Sequence, residues 1–219
     1  MATMISVVKL PLIYLISEGV MTDGNFVECS ARFSELVSAA VKAEVSLVQI
    51  REKHLSASKV FELASRIAQI TKNSQTLLLI NDRADIALAA GADGVHLTAN
   101  SLPIRVIRQT FPPNFIVGAS THSLAEVNQA AESGANFVTF SPIFATPSKA
   151  NYDLPPHGLE KLQEVGKAVE DFPVIALGGI DETNFSAVLQ AGARGIAAIR
   201  FLNDPQNLSK IVSKIRNDQ

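Results

Sequence analysis

A single cysteine, Cys29, is all the thiol chemistry in this chain. That excludes an internal disulfide framework and suits a reducing compartment. No motif surrounds Cys29, so it is read as structural rather than as a nucleophile. Charge of one sign is also missing: 19 Lys and Arg stand against 21 Asp and Glu, a formal net charge of −2. This gives no electrostatic reason to expect nucleic acid or an anionic membrane as the main partner. There is no low-complexity segment and no interdomain linker. The apolar opening "MISVVKLPLIYLISEGV" lacks a basic leader, is interrupted by Lys9 and Pro11, and is too short to span a bilayer. It is read as leading into a buried first strand, and a cytoplasmic protein is expected. Absent too is the G-x-G-x-x-G fingerprint that a dinucleotide-binding doubly wound sheet would carry after an early strand.

What the chain does have is one unit, repeated. "AGADGVHL" at 90–97, "SGANFVTF" at 133–140 and "AGARGIAAI" at 191–199 each follow an Ala-rich amphipathic stretch, and "KAEVSLVQI" at 42–50 is a degenerate copy. Glycine suits the left-handed residue that ends a helix, and a short strand follows it. The strands are continuously apolar rather than alternating, as parallel strands covered on both faces are. Eight such runs ("LPLIYLIS", "VSLVQI", "TLLLIN", "DGVHL", "FIVGAS", "FVTFS", "FPVIALG", "RGIAAI") alternate with helical patterns. The pattern predicts an α/β fold, a (β/α)8 TIM barrel, as a single domain over residues 1–219. The Pro-rich stretch at 141–158 leaves the sixth strand and is expected to form an active-site lid.

In such a barrel, chemistry gathers at the C-terminal ends of the strands. "QIREK" places Gln49, Arg51 and Lys53 on one side by period-two geometry, opposite Ile50 and Glu52, as an anion clamp or as a solvated strand end. "INDR" offers Asn81 and, in Asp82, either a divalent-cation ligand or the cap of the following helix. "GASTHS" supplies Ser120 and His122, a candidate acid/base, with Ser123 and Glu126 at capping-box spacing. The lid carries Thr146, Ser148 and Lys149, an oxyanion-binding set. Gly178 and Gly179 after strand seven fit a backbone-lined phosphate pocket, with Arg200 after strand eight as a further cation. Two anion sites imply a phosphorylated substrate and a second anion. No lysine sits within a strand interior, where a Schiff-base aldolase would want one.

In this order, "QIREK", "INDRADIALAAGADGVHL", "GASTHS", "PIFATPSK" and "VIALGGI" resemble the thiamine-phosphate synthase/TenI family from the first strand to the last helix. The resemblance implies a transferase of thiamine biosynthesis that joins hydroxymethylpyrimidine pyrophosphate to a thiazole phosphate and releases pyrophosphate. Gln49, Arg51, Lys53 and Asn81 would hold the pyrimidine diphosphate, and Ser120 and Lys149 would complete the catalytic site. Asp82 would bind Mg²⁺, while Thr146, Ser148, Gly178 and Gly179 would hold the thiazole phosphate. The expected partners are these small phosphorylated substrates, with no nucleic acid and no membrane; a homo-oligomer stays open.

Two positions depart from the family pattern. The turn after strand four, Thr98-Ala99-Asn100-Ser101, has Ser101 where a second metal-binding aspartate is expected, and Arg200 replaces a small residue. These departures keep a TenI-type reading alive: a metal-independent thiazole tautomerase using His122, with no cofactor. A non-catalytic phosphate-binding regulatory protein of the same fold is a third reading. The intact Gln49, Arg51, Lys53, Asn81, Asp82 and Lys149 favour the synthase.

Overall fold

The eight apolar runs become eight parallel strands in a computed structural model that describes residues 9–146 and 155–218. They are β1 (Leu12–Ile16), β2 (Leu47–Ile50), β3 (Leu77–Asn81), β4 (Gly94–Leu97), β5 (Ile116–Thr121), β6 (Phe137–Phe140), β7 (Val174–Leu177) and β8 (Gly195–Ala198). Each pairs with its sequence neighbour and β8 closes onto β1, so the sheet is a barrel with no free edge. The helices between them are α1 (Phe26–Lys42), α2 (Ala57–Thr71), α3 (Ala84–Ala90), α4 (Ile104–Thr110), α5 (Leu124–Glu132), α6 (Gly158–Ala168), α7 (Phe185–Gln190) and α8 (Leu208–Asn217). No described helix is long and apolar enough to cross a membrane.

Period-two side-chain geometry divides the core in two. Leu12, Tyr14, Ile16, Leu47, Leu79 and Phe137 belong to the cluster that fills the barrel. The alternate residues, such as Ile13, Val48, Ile80 and Val138, pack outward against the helices. Helix α1 shows how the outer layer forms: Phe26, Ser30, Phe33, Val37 and Ala40 recur at helical spacing and are all buried. Inside, Tyr14 meets Phe137 edge-on, with centroids 5.6 Å apart at 83°.

The repeated glycines do what their pattern predicts. Gly91 ends α3 in the left-handed conformation with φ 74°. In the degenerate copy Glu44 takes that conformation instead, with φ 57° after α1, so the unit survives without glycine.

Candidate active site

At the barrel mouth β2 and β3 lie side by side, with Gln49 level with Leu79. Inward-facing Gln49 is buried, and its amide donates to Asn81 Oδ1 at 3.1 Å. Asn81 in turn donates to Asp82 Oδ2 at 2.6 Å. The result is a continuous polar chain across two strand ends, ending on a carboxylate.

Asp82 does not cap the next helix. Its backbone is left-handed, with φ 59°, and α3 begins at Ala84 with no side-chain cap. Aspartate tolerates this conformation better than most residues. The conformation goes with a carboxylate bonded to the turn after β4. Asp82 Oδ1 accepts from the Thr98 backbone N–H at 3.2 Å, from Thr98 Oγ1 at 3.0 Å, and from the Ser101 hydroxyl. The missing acid of that turn thus has a physical counterpart. Two hydroxyls stand beside Asp82 where a second carboxylate would repel it. Among the described residues no group of three or more His, Cys, Asp or Glu is placed to hold a metal ion.

Arg51 continues past the end of β2 and is half-buried. Its backbone N–H donates to Ser17 Oγ at 2.8 Å, while its guanidinium has no hydrogen-bond or ion-pair partner among the described residues. A semi-enclosed cation of this kind is suited to an incoming anion. Lys53, two residues on, is exposed and likewise has no such partner among the described residues. Between them the Glu52 side chain turns inward to the protein and is 5% exposed. Its carboxylate accepts from the Gly19 and Met21 backbone N–H groups at 3.0 and 2.8 Å. Glu52 therefore fastens the loop after β1 beside Arg51, and the backbone carbonyl of Arg51 lies 3.3 Å from where a Gly19 side chain would begin.

Two strands on from β3, β5 carries Ser120, and His122 follows its end. Ser120 Oγ is 3.0 Å from His96 Nε2 on β4. His96 is fully enclosed, and burial pushes its pKa down to about 4; the Asp82 carboxylate acts against this shift and Arg51 adds to it. His122 Nδ1 is 2.6 Å from the Ser141 carbonyl. A carbonyl only accepts, so Nδ1 carries a proton. His157 Nε2 approaches the same carbonyl at 3.1 Å, and its ring stacks on Phe140. Ser123 caps α5 by accepting from Glu126 N, but Glu126 bonds the backbone N–H of His122 rather than that of Ser123. The capping box is thereby displaced by one residue and holds the backbone of His122.

Gly178 and Gly179 follow β7 with φ 108° and 65°. A side chain at Gly179 would start 2.7 Å from Phe144 Cβ and 2.8 Å from the Ala145 carbonyl. These glycines therefore let the loop after β6 pack against this turn, and Phe144 N donates to the Gly178 carbonyl at 3.0 Å. Sequence reasoning had tied them to phosphate alone. Thr146, half-buried, is the last described residue before the central part of that loop. Ser148 and Lys149, with the central part of the expected lid, lie outside the described residues. Arg200 is exposed just beyond β8.

A family profile described as thiamine monophosphate synthase matches residues 14–202, from the first strand past the last. The chain belongs to the thiamine monophosphate synthase family. A thiamine-phosphate synthase of Methanoculleus marisnigri is 42% identical over 166 residues, covering 76% of this chain and 78% of that one. A putative thiamine-phosphate synthase 2 of Aquifex aeolicus is also 42% identical, over 191 residues, covering 87% of this chain and 97% of its own length. Among solved structures, a thiamine phosphate pyrophosphorylase from Pyrococcus furiosus superimposes with a TM-score of 0.74 at 30% identity, over 93% of this chain and 96% of that chain.

In this family member, sequence reasoning passed over two site residues. His96 stood inside an apolar run with no local partner, although it lies level with Gly118 of the next strand, two residues before Ser120. Glu52 was placed on the far side of the clamp, and its role appears only when two loops meet.

Proposed function

We propose that the protein is a thiamine-phosphate synthase, coupling hydroxymethylpyrimidine pyrophosphate to thiazole phosphate with release of pyrophosphate. The observation that carries this reading is the half-buried Arg51 guanidinium, unpaired among the described residues, beside the Gln49–Asn81–Asp82 chain. Gln49 and Asn81 offer the polar edges that would orient a pyrimidine, and Arg51 with Lys53 would draw the diphosphate. The bond between the pyrimidine methylene and the diphosphate oxygen breaks with the electron pair leaving on pyrophosphate. The thiazole nitrogen then donates its lone pair to the methylene carbon, forming the new C–N bond. The enclosed, aromatic-lined barrel interior below would keep water from the cationic carbon. Thr146, Ser148 and the Gly178–Gly179 turn are assigned to the thiazole phosphate, and Lys149 and Ser120 to the reacting diphosphate.

The donor set suits Mg²⁺ carried in with the substrate. Asp82 gives one carboxylate, the Thr98 and Ser101 hydroxyls give further hard oxygens, and Mg²⁺ is commonly held by one or two carboxylates plus substrate phosphates. When bound, the ion would neutralise charge on the leaving pyrophosphate.

A second reading, metal-independent thiazole tautomerisation, has one observation in its favour. With Nδ1 donating to the Ser141 carbonyl, His122 has Nε2 left over for proton transfer. Arg51→Met separates the two: coupling should lose its affinity for the pyrimidine diphosphate, with KM rising about tenfold or more, the scale of a lost charge-assisted hydrogen bond. Unchanged KM would remove Arg51 from the diphosphate site.

A further inference from the structure

Two polar atoms deep in the barrel, Tyr14 Oη and His96 Nδ1, have no hydrogen-bond partner among the described residues. For the histidine this bears on which ring nitrogen holds the proton. A side chain at Gly118 would begin 2.4 Å from Phe137 Cζ and 2.8 Å from His96 Nδ1, so Gly118 packs closely against both rings. A proton on Nδ1 would be a buried donor with no acceptor among the described residues. A bare lone pair there packs against Gly118, which it tolerates. A doubly protonated ring would have the same orphan donor. The neutral ring with its proton on Nε2 is the form that fits.

That assignment fixes the hydroxyl next to it. Nε2–H donates to Ser120 Oγ at 3.0 Å, with Thr139 Oγ1 a longer alternative at 3.5 Å. Ser120 Oγ, having accepted, must send its own proton elsewhere, and its half-exposed position at the end of β5 leaves the mouth as the direction. With the opposite tautomer Ser120 would donate inward to His96 and turn only lone pairs toward an arriving anion. The direction of one buried hydrogen bond thus decides whether Ser120 attracts or repels a phosphate oxygen.

We propose that His96 is a positioning residue: its Nε2–H, held by the close packing of Gly118 against Nδ1, orients Ser120 as a hydrogen-bond donor to an anionic oxygen of the substrate. The identity of that anion rests on the synthase reading above; the tautomer does not.

The tautomer is read directly by long-range ¹⁵N–¹H NMR on ¹⁵N-histidine-labelled wild-type protein, with the His96 signals assigned by comparison with a His96→Gln sample. The expected pattern is a bare Nδ1 and a protonated Nε2; the reverse pattern overturns the proposal whatever the enzyme does. Pyrophosphate affinity, measured by calorimetry with Mg²⁺ present, tests the consequence. Gln can place an N–H near the Nε2 position and should bind within about threefold of wild type, whereas His96→Leu should weaken binding about tenfold, matching Ser120→Ala. The Leu variant combined with Ser120→Ala should be no weaker than either alone. Equal losses in the Gln and Leu variants would reduce His96 to a packing role and refute the proposal. A wild-type protein that binds pyrophosphate but forms no coupled product would instead count against the synthase reading, leaving the His96 assignment standing.

Discussion

Replacing Ser101 by aspartate would restore the acid that the turn after β4 lacks, and the structure says what that should cost. Ser101 Oγ is hydrogen-bonded to Asp82 Oδ1, so a carboxylate at 101 would face the Asp82 carboxylate across a few ångströms. Two unit charges at about 4 Å repel by about 4 kcal/mol at an effective dielectric of 20. Both residues are partly open to solvent, and screening lowers the expected cost to roughly 1–2 kcal/mol. In a chain of this size that is a fall of a few degrees in Tm. Millimolar Mg²⁺ should reverse it, since an ion bound between two carboxylates stabilises the folded state by mass action. Urea unfolding of wild type and Ser101→Asp, with and without Mg²⁺, measures all of this. Equal stability of the two proteins without metal, or no difference in their response to Mg²⁺, would refute the placement of Ser101 against Asp82.

Three further outcomes are expected. Gly179→Ala imposes a left-handed backbone on alanine and drives its methyl group to 2.7 Å from Phe144 Cβ, so it should cost about 2–4 kcal/mol in denaturant unfolding; a loss below about 0.5 kcal/mol would place the loop elsewhere. Glu52→Ala leaves the Gly19 and Met21 N–H groups without their acceptor and should cost about 2–3 kcal/mol, while also raising KM for the diphosphate through a loosened Arg51. His96 has a folded pKa of about 4 against an ordinary value near 6.5, so between these the unfolded chain binds the extra proton. Stability from this residue is therefore present above pH 6.5 and falls as pH drops toward 4, by about 3 kcal/mol in all. His96→Gln should flatten that part of the stability–pH curve, and a curve as steep as wild type would contradict it.

The barrel was legible because its strands are buried on both faces and therefore read as plain apolar runs, with glycine marking three helix ends. Gln49 and Arg51 also stood out as candidates, since strand periodicity points both residues the same way at the end of β2. What failed to show were relations across strands. Asp82 offered a metal ligand or a helix cap; a cap can be read locally, whereas its bonding partners Thr98 and Ser101 lie sixteen and nineteen residues away. Its left-handed backbone leaves no mark in the sequence beyond the identity of the residue. His96 gained its meaning from barrel register, which sets it against Gly118 and within reach of Ser120. Glu52 gained its meaning from a loop thirty-odd residues earlier in the chain.

The most direct measurement incubates the purified protein with hydroxymethylpyrimidine pyrophosphate and thiazole phosphate, with Mg²⁺ and with chelator, and follows products by mass spectrometry. Thiamine phosphate and pyrophosphate in equal amounts, formed only with Mg²⁺, is the predicted result. No coupled product beside an active control, together with tautomerisation of the thiazole carboxylate phosphate that persists in chelator and is lost in His122→Ala, would contradict the synthase reading.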